Sequence, residues 1–183
     1  MLKRLINDVH CALDNNAYFA ALSLVLTFPD ICGKAKYPTE KSTRKRYIDW
    51  YDEYVGQYEQ CPCDDCRRNN MPYLSGEIVY SLRNSMLHQG TPNINNSDIR
   101  TAANHLDEFV IFVEPKNEFN IYVDSSGILS SYEGEQCTAV KRRYRISLRR
   151  FCSILTSATE KYYLSNIHQF NFFNYSIIDQ DEF

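Results

Sequence analysis

An arginine, an amide and an imidazole fall within six residues near the middle of the chain: Arg83, Asn84 and His88. A guanidinium stays charged and can hold two phosphate oxygens, whereas an imidazole exchanges protons near neutral pH. Together they suit proton transfer at an anionic phosphoryl centre. On a regular helix Arg83 and His88 are separated by about 140° and about 7.5 Å of rise, so they are not expected to stack. Asn84 and His88, four apart, share a face, and the amide is expected to hold one imidazole nitrogen and select the tautomer. Gly90 and Pro92 stop the helix just beyond, which allows a second reading of His88 as a cation capping its own helix end.

These residues need a scaffold, and hydrophobic spacing supplies one. Leu2, Leu5, Ile6, Val9 and Leu13 recur at steps of three and four, predicting a helix over 2–13. A more apolar helix is expected over 17–28, ended by Pro29 and antiparallel to the first. Tyr47, Trp50, Tyr51 and Tyr54 place a third helix over 40–58. A fourth runs over 72–89, with Ile78, Leu82 and Met86 as its core stripe. Ser97 and Asp98 are expected to cap a short helix reaching 106. The period then changes. Residues 109–114 and 118–123 read as two strands of a hairpin, with a third strand over 139–146. Leu148, Phe151, Leu155, Ala158 and Tyr162 restore the helical repeat behind a Ser147 cap. The expected fold is mainly α and a single domain over 1–183. Within it, 1–106 form an antiparallel four-helix bundle, 107–147 a small antiparallel sheet insertion, and 148–183 a C-terminal helix with an aromatic tail that covers an edge or a partner.

The net charge of −3 and pI of about 5.8 exclude a uniformly basic, nucleic-acid-coating protein, so any such partner must be met locally. Two basic runs exist, 41–46 and 141–150. In the second, Lys141, Arg143 and Arg145 alternate and would share one strand face as a phosphate track, with Tyr144 turned away. Cys61, Cys63 and Cys66 place three thiols within six residues and could take a structural zinc if Cys32, Cys137 or a histidine completed the set. With no second paired-cysteine motif, the competing reading is a loop with incidental cysteines. Seven cysteines without an export signal are expected to stay reduced, in a cytoplasmic protein. The longest apolar stretch, 17–28, is too short for a membrane span. His10, His105 and His168 receive no role, and no Gly-rich phosphate loop is present.

The run Arg83-Asn84-Ser85-Met86-Leu87-His88 resembles the signature of HEPN domains (higher eukaryotes and prokaryotes nucleotide-binding): an Arg, often followed by Asn or Asp, and a His four to six positions after the Arg. Arg83, Asn84 and His88 match that pattern. The resemblance covers about residues 1–106; the sheet and final helix lie outside it. Many HEPN proteins are metal-independent endoribonucleases in toxin, defence and RNA-processing systems. The resemblance therefore implies RNA cleavage by attack of the ribose 2′-OH, with His88 transferring protons, Arg83 stabilising the phosphate, and no cofactor required. One chain offers one such imidazole, while the reaction benefits from both a base and an acid, so a homodimer is expected through this helix. An antitoxin or other regulator protein is a further expected partner. The alternative is a non-catalytic HEPN-like module that binds nucleic acid, nucleotide or protein.

Overall fold

A computed structural model describes residues 1–59, 73–113, 127–133 and 136–172. The chain is mainly helical with a small sheet. Helix α1 (Leu2–Asp14) turns Leu2, Ile6 and Val9 into the core, as the spacing requires. Asn16 then takes a left-handed conformation, φ 59°, which asparagine tolerates better than most residues. That residue reverses the chain into α2 (Tyr18–Val25).

The expected single helix over 17–28 is two helices. It stops at Val25, the Thr27 N–H and hydroxyl both donate to the Leu24 carbonyl, and α3 (Phe28–Lys36) begins at once. Pro29 therefore starts a helix instead of ending one. In a first turn its missing N–H has no intrahelical partner to lose, and its φ is already helical.

Helix α4 (Thr43–Tyr51) is capped by Ser42, whose hydroxyl accepts from the Lys45 N–H. It buries Tyr47, Trp50 and Tyr51 at the centre of the core and continues through a π turn (Asp52–Gly56) and one α turn (Gln57–Glu59). Helix α5 (Gly76–Asn84) packs on α4 and continues into a second π turn (Ser85–Gln89). Ile78, Leu82 and Met86 are buried along it, as expected. Two glycines allow these close crossings. A Cβ on Gly33 would lie 2.6 Å from the Arg46 carbonyl oxygen, and one on Gly76 2.8 Å from that of Ile48.

The helix expected from Ser97 and Asp98 to 106 is replaced by two short 3₁₀ turns, Asn96–Asp98 and Ala102–Asn104. Side chains satisfy the backbone here and compete with helix formation. Asn96 brackets Leu106 through both of its backbone polar groups, and the Glu77 carboxylate accepts from the Arg100 and Thr101 N–H groups.

Strands β1 (Glu108–Phe112), β2 (Gly127–Glu133) and β3 (Gln136–Ser147) form a sheet in the order β1-β3-β2. The sheet is not the antiparallel one expected. β3 runs antiparallel to β2 but parallel to β1, with Val110 opposite Arg145. A parallel pair needs a connection of a dozen or more residues, and the chain between β1 and β3 is long enough to provide it. The strand expected over 118–123 lies outside the described residues; the one expected over 139–146 is the body of β3.

Helix α6 (Leu148–Ser165) begins as predicted, with the Ser147 hydroxyl accepting from the Arg150 N–H at 3.1 Å. It packs against α1, α2, α3 and β3. The first part of the aromatic tail folds back on the chain: Phe170 is buried against Tyr162 and Tyr163, and Lys34 lies over the Phe172 ring. The rest of the tail, 173–183, lies outside the described residues. Among the described residues no helix is long and apolar enough to cross a membrane.

Candidate functional site

The end of α5 brings Arg83 and His88 together against the helical expectation. In the π turn hydrogen bonds span five residues instead of four, so the chain winds more slowly and the residue five along returns to the same face. Arg83 Nη1 accordingly lies 3.3 Å from His88 Nε2. A guanidinium only donates, so when the imidazole is neutral Nε2 is the nitrogen placed to accept in this contact. The same unwinding overturns the expected Asn84–His88 bond. The Asn84 Oδ1 accepts from Arg83 Nη1 at 3.1 Å instead. Gly90, at φ 69°, ends the helix: its N–H donates to the Met86 carbonyl, and that of Thr91 donates to Ser85.

The other edge of Arg83 is held by a residue that sequence reading missed. Asp30 Oδ2 accepts from Arg83 Nε at 3.0 Å and lies 2.9 Å from Nη2. Burial pushes the Asp30 carboxyl above its ordinary value, and Arg83 and Arg46 pull it partly back. Asp30 comes from the first turn of α3, 53 residues before its partner. Read locally, Pro29-Asp30 is only a break signal, and the pairing exists because α3 and α5 flank α4. Tyr80, one turn before Arg83, supports the site from beneath. The Arg83 guanidinium carbon lies 6.0 Å from its ring centroid, and Tyr47 packs edge-on against the same ring at 5.3 Å.

The resulting site grades from core to solvent. Tyr47 is fully buried, the Arg83 and Asp30 side chains are each 20% exposed, and Asn84 is half-buried. His88 and Leu87 stand at the surface. The arrangement sets an anchored guanidinium beside an exposed imidazole, groups whose chemistry suits an anionic ligand.

The other predicted sites lie elsewhere. On β3, Tyr144 is buried and Arg145 exposed, as the alternation requires, and the Arg145 guanidinium lies over the Phe112 ring. Lys141 and Arg143 follow the same strand register, but their side chains lie outside the described ones. Arg149, from the same basic run, is committed to the joint between α1 and α2: it donates to the Leu13 carbonyl, Asn16 Oδ1 and the Tyr18 hydroxyl. Cys61, Cys63 and Cys66 lie outside the described residues. Cys32, considered as a fourth zinc ligand, is a core thiol whose ionisation burial opposes strongly. Among the described residues no three His, Cys, Asp or Glu side chains gather in a metal-binding group. His105 Nε2 lies 2.9 Å from the Ile99 carbonyl oxygen, a local loop contact.

Comparison of the chain with protein-family models, with curated proteins and with solved structures gave no match.

Proposed function

We propose that the chain is a HEPN-like, metal-independent endoribonuclease, its helices α1 to α5 forming the HEPN-like bundle and two copies meeting at the α5 ends. One observation carries this reading: Arg83, anchored by Asp30, approaches an exposed His88 to 3.3 Å through a π turn. In the proposed reaction the substrate phosphate draws Arg83 Nη1 away from His88, which frees Nε2 of that imidazole to take the proton of a ribose 2′-OH, and that oxygen attacks the adjacent phosphorus. The bond from phosphorus to the 5′-oxygen breaks, and the second His88 of the dimer, which enters the reaction as imidazolium, protonates the leaving oxygen. The products are a 2′,3′-cyclic phosphate and a 5′-hydroxyl. Arg83 balances charge on the non-bridging oxygens, and Asn84 orients the Arg83 edge that faces the imidazole. A cytoplasmic toxin or defence effector restrained by a regulator protein is the setting this chemistry suits.

The test is incubation of purified protein with unstructured RNA in a chelator. Wild type is expected to cut, and His88→Ala to cut at least about 100-fold more slowly. Equal inactivity of the two proteins across several RNAs would refute catalysis.

The second reading is a binding module without cleavage. It is favoured by the engagement of two Arg83 nitrogens with Asp30, which a purely architectural arginine also requires. That reading expects RNA or nucleotide binding by wild type and His88→Ala alike, with no cut strand in either.

A further inference from the structure

Two guanidinium groups lie over the ring of Tyr80. The Arg83 carbon is 6.0 Å from its centroid and the Arg44 carbon 5.5 Å. Arg83 belongs to the site above, whereas Arg44 comes from the first turn of α4, in the basic run 41–46. Arg44 Nη2 donates to Glu77 Oε1 at 2.8 Å, which ties α4 to the start of α5. That bond uses one guanidinium nitrogen. Glu77 also accepts from the Thr101 N–H at 3.1 Å, the Arg100 N–H at 3.4 Å and Asn104 Nδ2 at 3.5 Å, so one carboxylate serves four donors. The Arg44 side chain is also the more open of the pair, at 19% exposure against 13% for Glu77.

The Tyr80 ring is pre-set. Tyr47, itself buried, holds the Tyr80 ring at an interplanar angle of 72°. Tyr80, Arg83 and His88 then form one stripe along α5, about 12 Å long, which is more than a single nucleotide covers. A planar guanidinium over an aromatic ring, beside an anion site, fits an unstacked base with its phosphate. The basic run 41–46 touches the site through Arg44.

We propose that Arg44 and Tyr80 seat the nucleotide next to the scissile phosphate, Arg44 pairing with its phosphate and the Tyr80 ring beside it receiving its base. This seat rests on the ribonuclease reading for its neighbour but not for its own test. The test uses a short single-stranded RNA carrying 2′-O-methyl groups throughout, which has no nucleophile to be cut, and follows its anisotropy against salt. Wild type is expected to bind. Arg44→Gln is expected to weaken binding roughly tenfold and to flatten the slope of log affinity against log salt by about 0.7, the loss of one phosphate contact on a single strand. Arg44→Lys keeps the charge and the Glu77 ion pair and should retain the wild-type slope. Tyr80→Leu is expected to weaken binding roughly tenfold with the slope unchanged. The seat is overturned if wild type does not bind, if Arg44→Gln keeps the wild-type slope, or if the Gln and Lys variants behave alike. If these binding effects appear and unmodified RNA is still not cut by wild type, the seat stands and the cleavage reading falls.

Discussion

Asp30 and Arg83 form the contact on which the site's geometry depends, and each is held by more than the other. Arg83 Nη1 also donates to Asn84, and Asp30 sits in the field of Arg46. Asp30→Asn keeps size and one acceptor but removes the charge, leaving a partly buried guanidinium short of its anion. Urea unfolding is expected to show a loss of about 1–3 kcal/mol. If RNA is cut, the rate should fall as well, because the Arg83 edge is no longer aimed. A variant as stable and active as wild type would remove Asp30 from the site. Asp52 offers a pH signature. Burial raises its carboxyl from 3.8 to about 6, against a hydrogen bond from the Gly76 N–H, with Glu77 and Asp49 adding to the rise. The folded chain therefore holds that proton more tightly than the unfolded one. Its contribution to stability is complete below the ordinary carboxylate value and is lost as pH rises through about 6. Asp52→Asn, whose amide oxygen still accepts from Gly76, is expected to lack that decline between about pH 4 and 6 in thermal unfolding scans. Glu77 works in the opposite direction. Burial would raise it, but bonds from Thr101, Arg44 and Asn104 hold it below its ordinary value, so its contribution is lost only as pH falls.

At the scale of elements, α4 is the shared wall on which α3 and α5 meet, and glycine makes the meeting possible. Gly33→Ala places a methyl carbon 2.6 Å from the Arg46 carbonyl oxygen, which belongs to backbone and cannot rotate aside. The alanine gains about 1 kcal/mol of helix propensity, yet the forced separation of α3 from α4 should leave a net loss of about 1–3 kcal/mol in urea unfolding. Gly90→Ala tests a different cause. Its side chain would meet nothing within 4 Å, so the cost is the left-handed backbone alone, about 1 kcal/mol. The two π turns also belong to this scale. One places His88 over Arg83, and the other carries Asp52 toward the N-terminus of α5. Residue spacing at the end of α5 predicted the reverse, because a step of 100° was assumed where the chain takes a smaller one.

For the whole molecule, the proposed chemistry needs two imidazoles, and each 21.4 kDa chain provides one at this site. Sedimentation equilibrium at micromolar concentration is expected to give about twice the chain mass, and dilution below the dimer constant should reduce any RNA cleavage more than in proportion. A persistent monomer that still cuts RNA would sink the shared-site mechanism while leaving His88 and Arg83 in it.

Much of the helical core was legible in the order of residues alone. Leu2, Ile6 and Val9, the α4 aromatics, the Ile78–Leu82–Met86 stripe and the Ser147 cap all act within a few residues of chain, where period and local hydrogen bonding decide. Arg83 and His88 were singled out as candidates from type and spacing. Their contact, the Asp30 anchor, the Arg44–Tyr80 contact and the parallel pairing of β1 with β3 were not. Each joins parts of the chain that only packing brings together, or follows from a π turn whose extra residue leaves the hydrophobic pattern intact. Sequence determines which groups are available and which faces turn inward; tertiary structure decides which charge meets which, because that choice depends on distances across α4 that no local pattern encodes.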